Sequence, residues 1–223
     1  MNIKANDLSK IYGNGENGVT ALSHANLSIV SGDFISIIGP SGSGKSTLLH
    51  LLSGLDRPTF GSVTYDGKEI YRYSEKELSA FRRRRIGFIF QQFHLLPVLT
   101  AMENIIMPLL LDRRQPDLNY LNQLAELLGI QERLYHLPHE LSGGQQQRIA
   151  IARALIAKPD IIFADEPTGN LDSKSGKEVI ELLQNVGKKM GKALVLITHD
   201  SHIAQMAERQ LQIVDGVLSE VKR

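Results

Sequence analysis

Nine residues, Gly39-Pro40-Ser41-Gly42-Ser43-Gly44-Lys45-Ser46-Thr47, constrain this chain more than any other stretch. They satisfy the pattern G-x-x-x-x-G-K-[ST], with Gly39, Gly44, Lys45 and Ser46 in the required places. The glycines let the backbone curl so that successive N–H groups aim inward at an anion. Lys45 adds a point charge for outer phosphates, and Ser46 offers a hydroxyl to a Mg²⁺ ion. Ser41, Gly42, Ser43 and Thr47 fill out the loop and the turn that follows it. Upstream, Phe34 to Ile38 reads as a buried strand; downstream, Leu48 to Leu52 reads as a helix. That order sets a helix N-terminus, with free N–H groups and a positive dipole end, against the phosphates. The stretch predicts a nucleoside triphosphate site.

The chain has 223 residues, enough for one large domain or one domain with a sizeable insertion. At 42% hydrophobic and 22% charged it can bury a core. Its 25 basic residues nearly balance 24 acidic ones, so no global charge argues for nucleic acid or a membrane surface. It contains no cysteine, which excludes a disulfide framework or thiolate metal site and suits a reducing compartment. Met1 to Asp7 lacks the apolar core of a signal peptide. The most apolar run, Ile105 to Leu111, is too short to span a bilayer and contains Pro108. The chain reads as soluble and cytoplasmic.

Ile3 to Leu8 and Ala25 to Val30 alternate apolar and polar residues, as half-buried antiparallel strands do. Gly13 to Gly18 is a Gly/Asn turn cluster between them, and pattern alone makes Tyr12 a packing residue. Gly61 to Gly67 reads as a strand ending in an Asp-Gly turn. Ser74 to Glu77 is capping-box-like and opens a charged helix running into Arg82, Arg83, Arg84 and Arg85, a run better read as a solvated face than as a polyanion site. Ile86 to Phe90 is a further strand. From about Phe93 to Ala157 the texture is helical, with Leu118 to Leu128 amphipathic and Gly129 its stop. Strands return at Asp160 to Ala164, Ala193 to Ile197 and Leu211 to Val214, with a helix from Ser173 to Lys188. This is the β-α-β pattern of a parallel sheet covered by helices, with a helical stretch inserted.

Ligands of open parallel sheets lie beyond the carboxyl ends of the strands. There Asp165 and Glu166 close one apolar run, a costly pair unless a cation waits. Asp165 is placed to hold Mg²⁺, and Glu166 to act as general base on an attacking water. Gln91 closes its strand likewise and could touch Mg²⁺ or water; His199, after another strand, could orient the γ-phosphate. Leu141-Ser142-Gly143-Gly144-Gln145 joins a Ser-Gly-Gly turn to a helix and offers a second anion-binding helix end. Two such ends could serve one nucleotide if two copies of the chain faced each other.

In this order and spacing the phosphate loop, Gln91, Leu141 to Gln145, Ile161 to Glu166 and His199 resemble the motif set of ABC-type ATPases over essentially the whole chain. The resemblance implies an α/β fold: a P-loop NTPase, RecA-like core with an antiparallel β-subdomain (1–92 and 158–223) and an inserted helical subdomain (93–157). It implies an ATPase in which Tyr12 stacks on adenine, overturning the packing reading, and Asp172 lies in a loop communicating across a dimer. It further implies an ATP-bound homodimer, each ATP lying between one copy's phosphate loop and Ser142, Gly143, Gly144 and Gln145 of the other. Phe88 to Pro97 and Ala164 to Ser173 resemble the subgroup of lipoprotein-releasing, macrolide-exporting and antimicrobial-peptide-resistance ATPases. Such subunits are expected at the cytoplasmic face of a bacterial membrane, with a separate integral permease contacting residues near 93–108. A cell-division-type ATPase and a soluble non-transport one are the alternatives; a phosphate-loop kinase would leave Leu141 to Gln145 without a purpose.

Overall fold

The predicted strands join into one sheet with two characters. The computed structural model describes residues 1–13 and 17–221; half of the predicted Gly13 to Gly18 turn, residues 14–16, lies outside the described residues. β1 (Asn2–Tyr12), β2 (Val19–Val30), β4 (Phe60–Tyr65) and β5 (Lys68–Glu69) pair antiparallel. β3 (Phe34–Ile38), β6 (Ile86–Phe90), β7 (Ile161–Asp165), β8 (Ala193–Ile197) and β9 (Arg209–Val214) form the parallel part. β10 (Val217–Glu220) runs antiparallel to β9 and meets β2 at Val217 opposite Ser23, so the order is β5-β4-β1-β2-β10-β9-β3-β8-β7-β6. The antiparallel strands thus continue into the parallel ones through β10.

Both faces of the parallel part are buried, which is why its strands are continuous apolar runs. Successive residues go to opposite sides. Ile161, Phe163, Val195 and Ile197 join a core that includes Leu48, Leu49, Leu51 and Leu52 of α1 (Lys45–Ser53). Ile162, Ala164, Leu194 and Leu196 join the opposite core. That second core is closed by α3 (Ala101–Leu111), α4 (Leu118–Leu128), α5 (Gly143–Leu155) and α6 (Ser173–Met190).

Local signals set the helix ends. Ser74 caps α2 (Glu75–Arg85) with Glu77 in a complete capping box, and Asp117 and a left-handed Gly129 bracket α4. The run Ile105 to Leu111 is the latter part of α3, which carries Pro108 inside it. The four arginines ending α2 are tethered rather than simply solvated. Arg82 donates to Gly54 O, Arg83 and Arg84 pair with Asp112, and Arg85 pairs with Asp66 and Asp160. Among the described residues no helix is long and apolar enough to cross a membrane.

Candidate functional site

The carboxyl ends of β3, β6, β7 and β8 bring the predicted polar residues to one edge of the sheet. After β3, Gly39 and Gly44 are demanded by the packing around the loop. A Cβ on Gly39 would stand 2.1 Å from Ile213 O, and one on Gly44, at φ +108°, 2.1 Å from Ala21 O. Only glycine lets the loop settle between β9 and β2. Gly216 N–H donates to Ser43 O at 3.0 Å, tying the loop to the β9–β10 turn. Within the loop, Ser43 Oγ is buried and has no hydrogen-bond partner among the described residues. Lys45 Nζ donates to the carbonyls of Gly39 (2.9 Å) and Pro40 (2.7 Å), so its ammonium lies over the loop. Buried hydroxyl, curled amides and folded-back ammonium together form a cradle for an anion.

Ser46, in the first turn of α1, donates to Asp165 Oδ2 at 2.9 Å. The hydroxyl and carboxylate predicted to share a metal are in direct contact across 119 residues of sequence. Their oxygens suit a hard divalent cation such as Mg²⁺. The next residue, Glu166, adopts φ +47°, a left-handed conformation that costs a non-glycine residue about 1–3 kcal/mol. Its N–H is held by Ile197 O at 3.0 Å, and its carbonyl accepts from Gly169 N–H at 3.0 Å. Its carboxylate meets His199 Nδ1 at 2.9 Å; the imidazole is 76% exposed and the carboxylate 19%. A carboxylate fixed by its backbone thus sits beside a ring that can hold or move a proton.

Gln91 follows Phe90, which is in register with Asp165. Its side-chain amide lies so close over Gly169 that a Cβ there would meet Nε2 at 2.6 Å, and its carbonyl accepts from Asn170 Nδ2. The structure therefore sets Gln91 against the loop between Glu166 and Asp172. Asp172 caps α6, accepting from the N–H groups of Lys174 and Ser175; the Ser175 hydrogen bonds hold its carboxyl below the usual range.

Tyr12 is 43% exposed and does not pack into the core. Its hydroxyl donates to Asp56 Oδ2 at 2.8 Å, and Lys10 Nζ lies 4.8 Å from the ring centroid. Burial, then the bond to Asp56, raises the phenol above its usual value, while a side-chain hydrogen bond to Thr47 opposes the shift. The ring is thus a fixed, open platform beside the phosphate loop. Asp56, its anchor, lies 44 residues from Tyr12, and no sequence pattern marks it.

The second helix end has different neighbours. Ser142 caps α5: its Oγ accepts from Gln145 N–H at 3.3 Å, and Gln145 Oε1 accepts from Ser142 N–H at 2.9 Å. A Cβ on Gly143 would find Leu171 at 3.5 Å and Phe93 at 3.7 Å; one on Gly144 would find, among the described residues, only Ser175, at 3.8 Å. These are ordinary contact distances, and neither glycine has a left-handed φ. Nothing in the fold requires two glycines in that first turn. The loop at 39–47 contacts Ala21, Ile213 and Asp165, whereas this turn contacts Phe93, Leu171 and Ser175.

A family profile described as ABC transporter matches residues 22–169. The uncharacterized ABC transporter ATP-binding protein MJ1508 of Methanocaldococcus jannaschii is 49% identical, over 98% of each chain. The lipoprotein-releasing system ATP-binding protein LolD of Geobacter metallireducens is 48% identical over 94% of each. The macrolide export ATP-binding/permease protein MacB of Bdellovibrio bacteriovorus is 48% identical across 97% of this chain but only 33% of its own length. Among solved structures, the dimeric cassette MJ0796 of Methanocaldococcus jannaschii superposes with a TM-score of 0.87 at 42% identity over 99% of both chains. A post-hydrolysis dimer of the same cassette, bound to ADP and Pi, gives the same values. Family profile, relatives and cradle converge on one statement: the chain belongs to the ABC transporter family, as an ATP-binding cassette that hydrolyses ATP.

Proposed function

We propose that the chain is the ATPase subunit of a transporter of the mechanotransmission type, driving a separate integral membrane permease from the cytoplasmic face of the cell membrane. The observation that carries the catalytic part is the adjacency of Ser46–Asp165 and Glu166–His199 beside the loop cradle. Lys45 and the amides of Gly39, Ser41, Gly42, Ser43, Gly44 and Thr47 bind the phosphates, and Tyr12 stacks on adenine. Ser46 and Asp165 hold Mg²⁺, with Gln91 reaching the ion or its water. When bound, that ion neutralises charge on the β- and γ-phosphates. Glu166 takes the proton of the attacking water, and His199 holds its carboxylate and supports the γ-phosphate.

The spare glycines of α5 favour a site completed by a second copy. Ser142, Gly143, Gly144 and Gln145 of one chain close over the γ-phosphate held by the other, and Asp172 communicates across the pair. The neighbouring cassette MJ0796 is a dimer, in keeping with this reading. Binding two ATPs closes the sandwich; hydrolysis removes the bridge and opens it.

For the permease, the stretch 93–108 contributes His94 and Pro108 to a mainly apolar groove that Leu55, Phe88, Phe90 and Leu111 also line, together with Arg82, Arg83 and Arg153. Lipoprotein release, export and peptide resistance all suit such a partner; the relatives' names favour the first two. A cell-division-type role remains the second reading within the same architecture. Glu166→Gln tests the catalytic assignment: ATP binding persists, turnover falls at least a hundredfold and an ATP-bound dimer accumulates in light scattering. Undiminished hydrolysis removes Glu166 as the base. Co-purification of a permease that is lost on charging the groove, as in Phe90→Asp, tests the partner.

A further inference from the structure

α5 does more than present its N-terminal turn. Gln147, in its second turn, is fully buried, and its Nε2 donates to Pro167 O at 2.7 Å. Ile149, Ala150 and Ile151 around it are buried and apolar, so a carboxamide here is chemically out of place unless its bond is needed. Pro167 is the residue after Glu166 and is itself buried. We infer that Gln147 is a positioning residue for Glu166, joining the helix that faces the partner's nucleotide to the carboxylate that acts on its own.

The geometry around Glu166 supports this. Its left-handed backbone is sustained by three bonds in succession. Its N–H goes to Ile197 O, its carbonyl accepts from Gly169 N–H, and the next carbonyl, that of Pro167, accepts from Gln147. The first ties Glu166 to the end of β8 and the second closes its own turn. Only the third reaches into the core of the helical stretch. Proline has no N–H, so its carbonyl is the one backbone hydrogen-bonding group that Pro167 itself offers. Displacing α5 along its axis carries the Pro167 carbonyl with it, and with it the Glu166 carboxylate. A cassette closed on its partner thereby sets its own base, while one with a displaced helix does not.

The inference rests on Glu166 being the general base, and the experiment separates the two. Gln147→Met keeps the length and helix preference but removes the donor; Gln147→Leu removes it with a shorter apolar side chain. Steady-state ATPase of the full chain is measured for each, with Glu166→Gln and the Gln147→Met/Glu166→Gln double variant alongside. A misplacement of about 1 Å at a base can cost about a hundredfold. Turnover is therefore expected to fall roughly ten- to hundredfold in both single variants, KM for ATP to stay within about threefold, and ATP-driven dimerisation to persist. Gln147→Met is expected to cost nothing further in the Glu166→Gln background. Unchanged turnover, or a KM rise with lost dimerisation, overturns the inference, since the latter places the effect on the turn Ser142 to Gln145. An equal loss with and without Glu166 overturns it too. If Glu166→Gln alone is fully active, the base assignment fails instead. A cooperative thermal melt qualifies each variant, and Gln147→Leu stands in if Gln147→Met does not fold.

Discussion

Replacing Gly144 with alanine should make the protein more stable and less active. Gly144 is the second residue of α5, with helical backbone and 3.8 Å of clearance to Ser175. Inside a helix, alanine is favoured over glycine by about 0.5–1 kcal/mol, because the unfolded chain loses freedom. The first turn merits the lower figure, about 0.5 kcal/mol. In a chain of this size 1 kcal/mol moves Tm by about 2–4 °C, so the variant should melt roughly 1–2 °C higher by calorimetry. Among the described residues the added methyl meets only Ser175, at ordinary contact distance, but it projects where the second copy's γ-phosphate is proposed to pack. Crowding a well-packed contact costs about 1–3 kcal/mol, which at about 1.4 kcal/mol per decade is a five- to hundredfold loss of ATPase. ATP-driven dimerisation, read by light scattering, should weaken in parallel. A higher Tm with unchanged ATPase and dimerisation refutes the two-copy site; a lower Tm refutes the claim that the fold leaves this glycine unconstrained.

Gly44→Ala is the opposite case. With φ +108° and a carbonyl 2.1 Å from the new Cβ, it should cost at least about 2 kcal/mol and lower Tm by about 4–8 °C, with ATP binding lost. Ser74→Ala removes one half of a capping box remote from the site and should cost about 1 kcal/mol, seen as a Tm lower by about 2–4 °C with ATPase per folded molecule unchanged. Burial pushes the Tyr120 phenol up to about 12 and also raises Tyr65 and Tyr71. Below pH 10 these phenols are neutral folded and unfolded and leave stability untouched. Above it the unfolded chain ionises first, and stability falls by up to about 1.4 kcal/mol per pH unit per group until each folded value is reached. Tyr120→Phe should therefore show a shallower decline of Tm between pH 10 and 11.5 than the parent.

Much of this architecture is legible in the sequence because local signals agree with global ones. Leu118 to Leu128 carries a helical apolar stripe, a capping Asp117 and a terminal Gly129, and it is a helix over that span. Phe34 to Ile38 and Ala193 to Ile197 are short apolar runs because both faces of the parallel sheet are covered. β1 is longer than its alternation suggests. Its register slips after Ala5 and again near Leu8, with Asp7 at φ +49°, which scrambles the period-two pattern. β10 is four residues long and mostly exposed, with no apolar pattern to announce it, so the junction of the two sheet sections was invisible. At the site, the Ser46, Asp165, Glu166 and His199 positions are written in strand ends. The Tyr12–Asp56 and Gln147–Pro167 bonds depend on tertiary contact and are not.

The capping box at Ser142 has one further consequence for a machine that must cycle. The hydroxyl oxygen of Ser142 receives the Gln145 N–H, which leaves the hydroxyl's own hydrogen uncommitted among the described residues. A phosphate oxygen can take that hydrogen without disturbing the cap. If Ser142 engages nucleotide as proposed, it does so with a hydrogen the cap does not use, and the end of α5 stays as well secured after product leaves as before ATP arrives. On the proposed two-copy reading, the helix need not fray and re-form with each turnover.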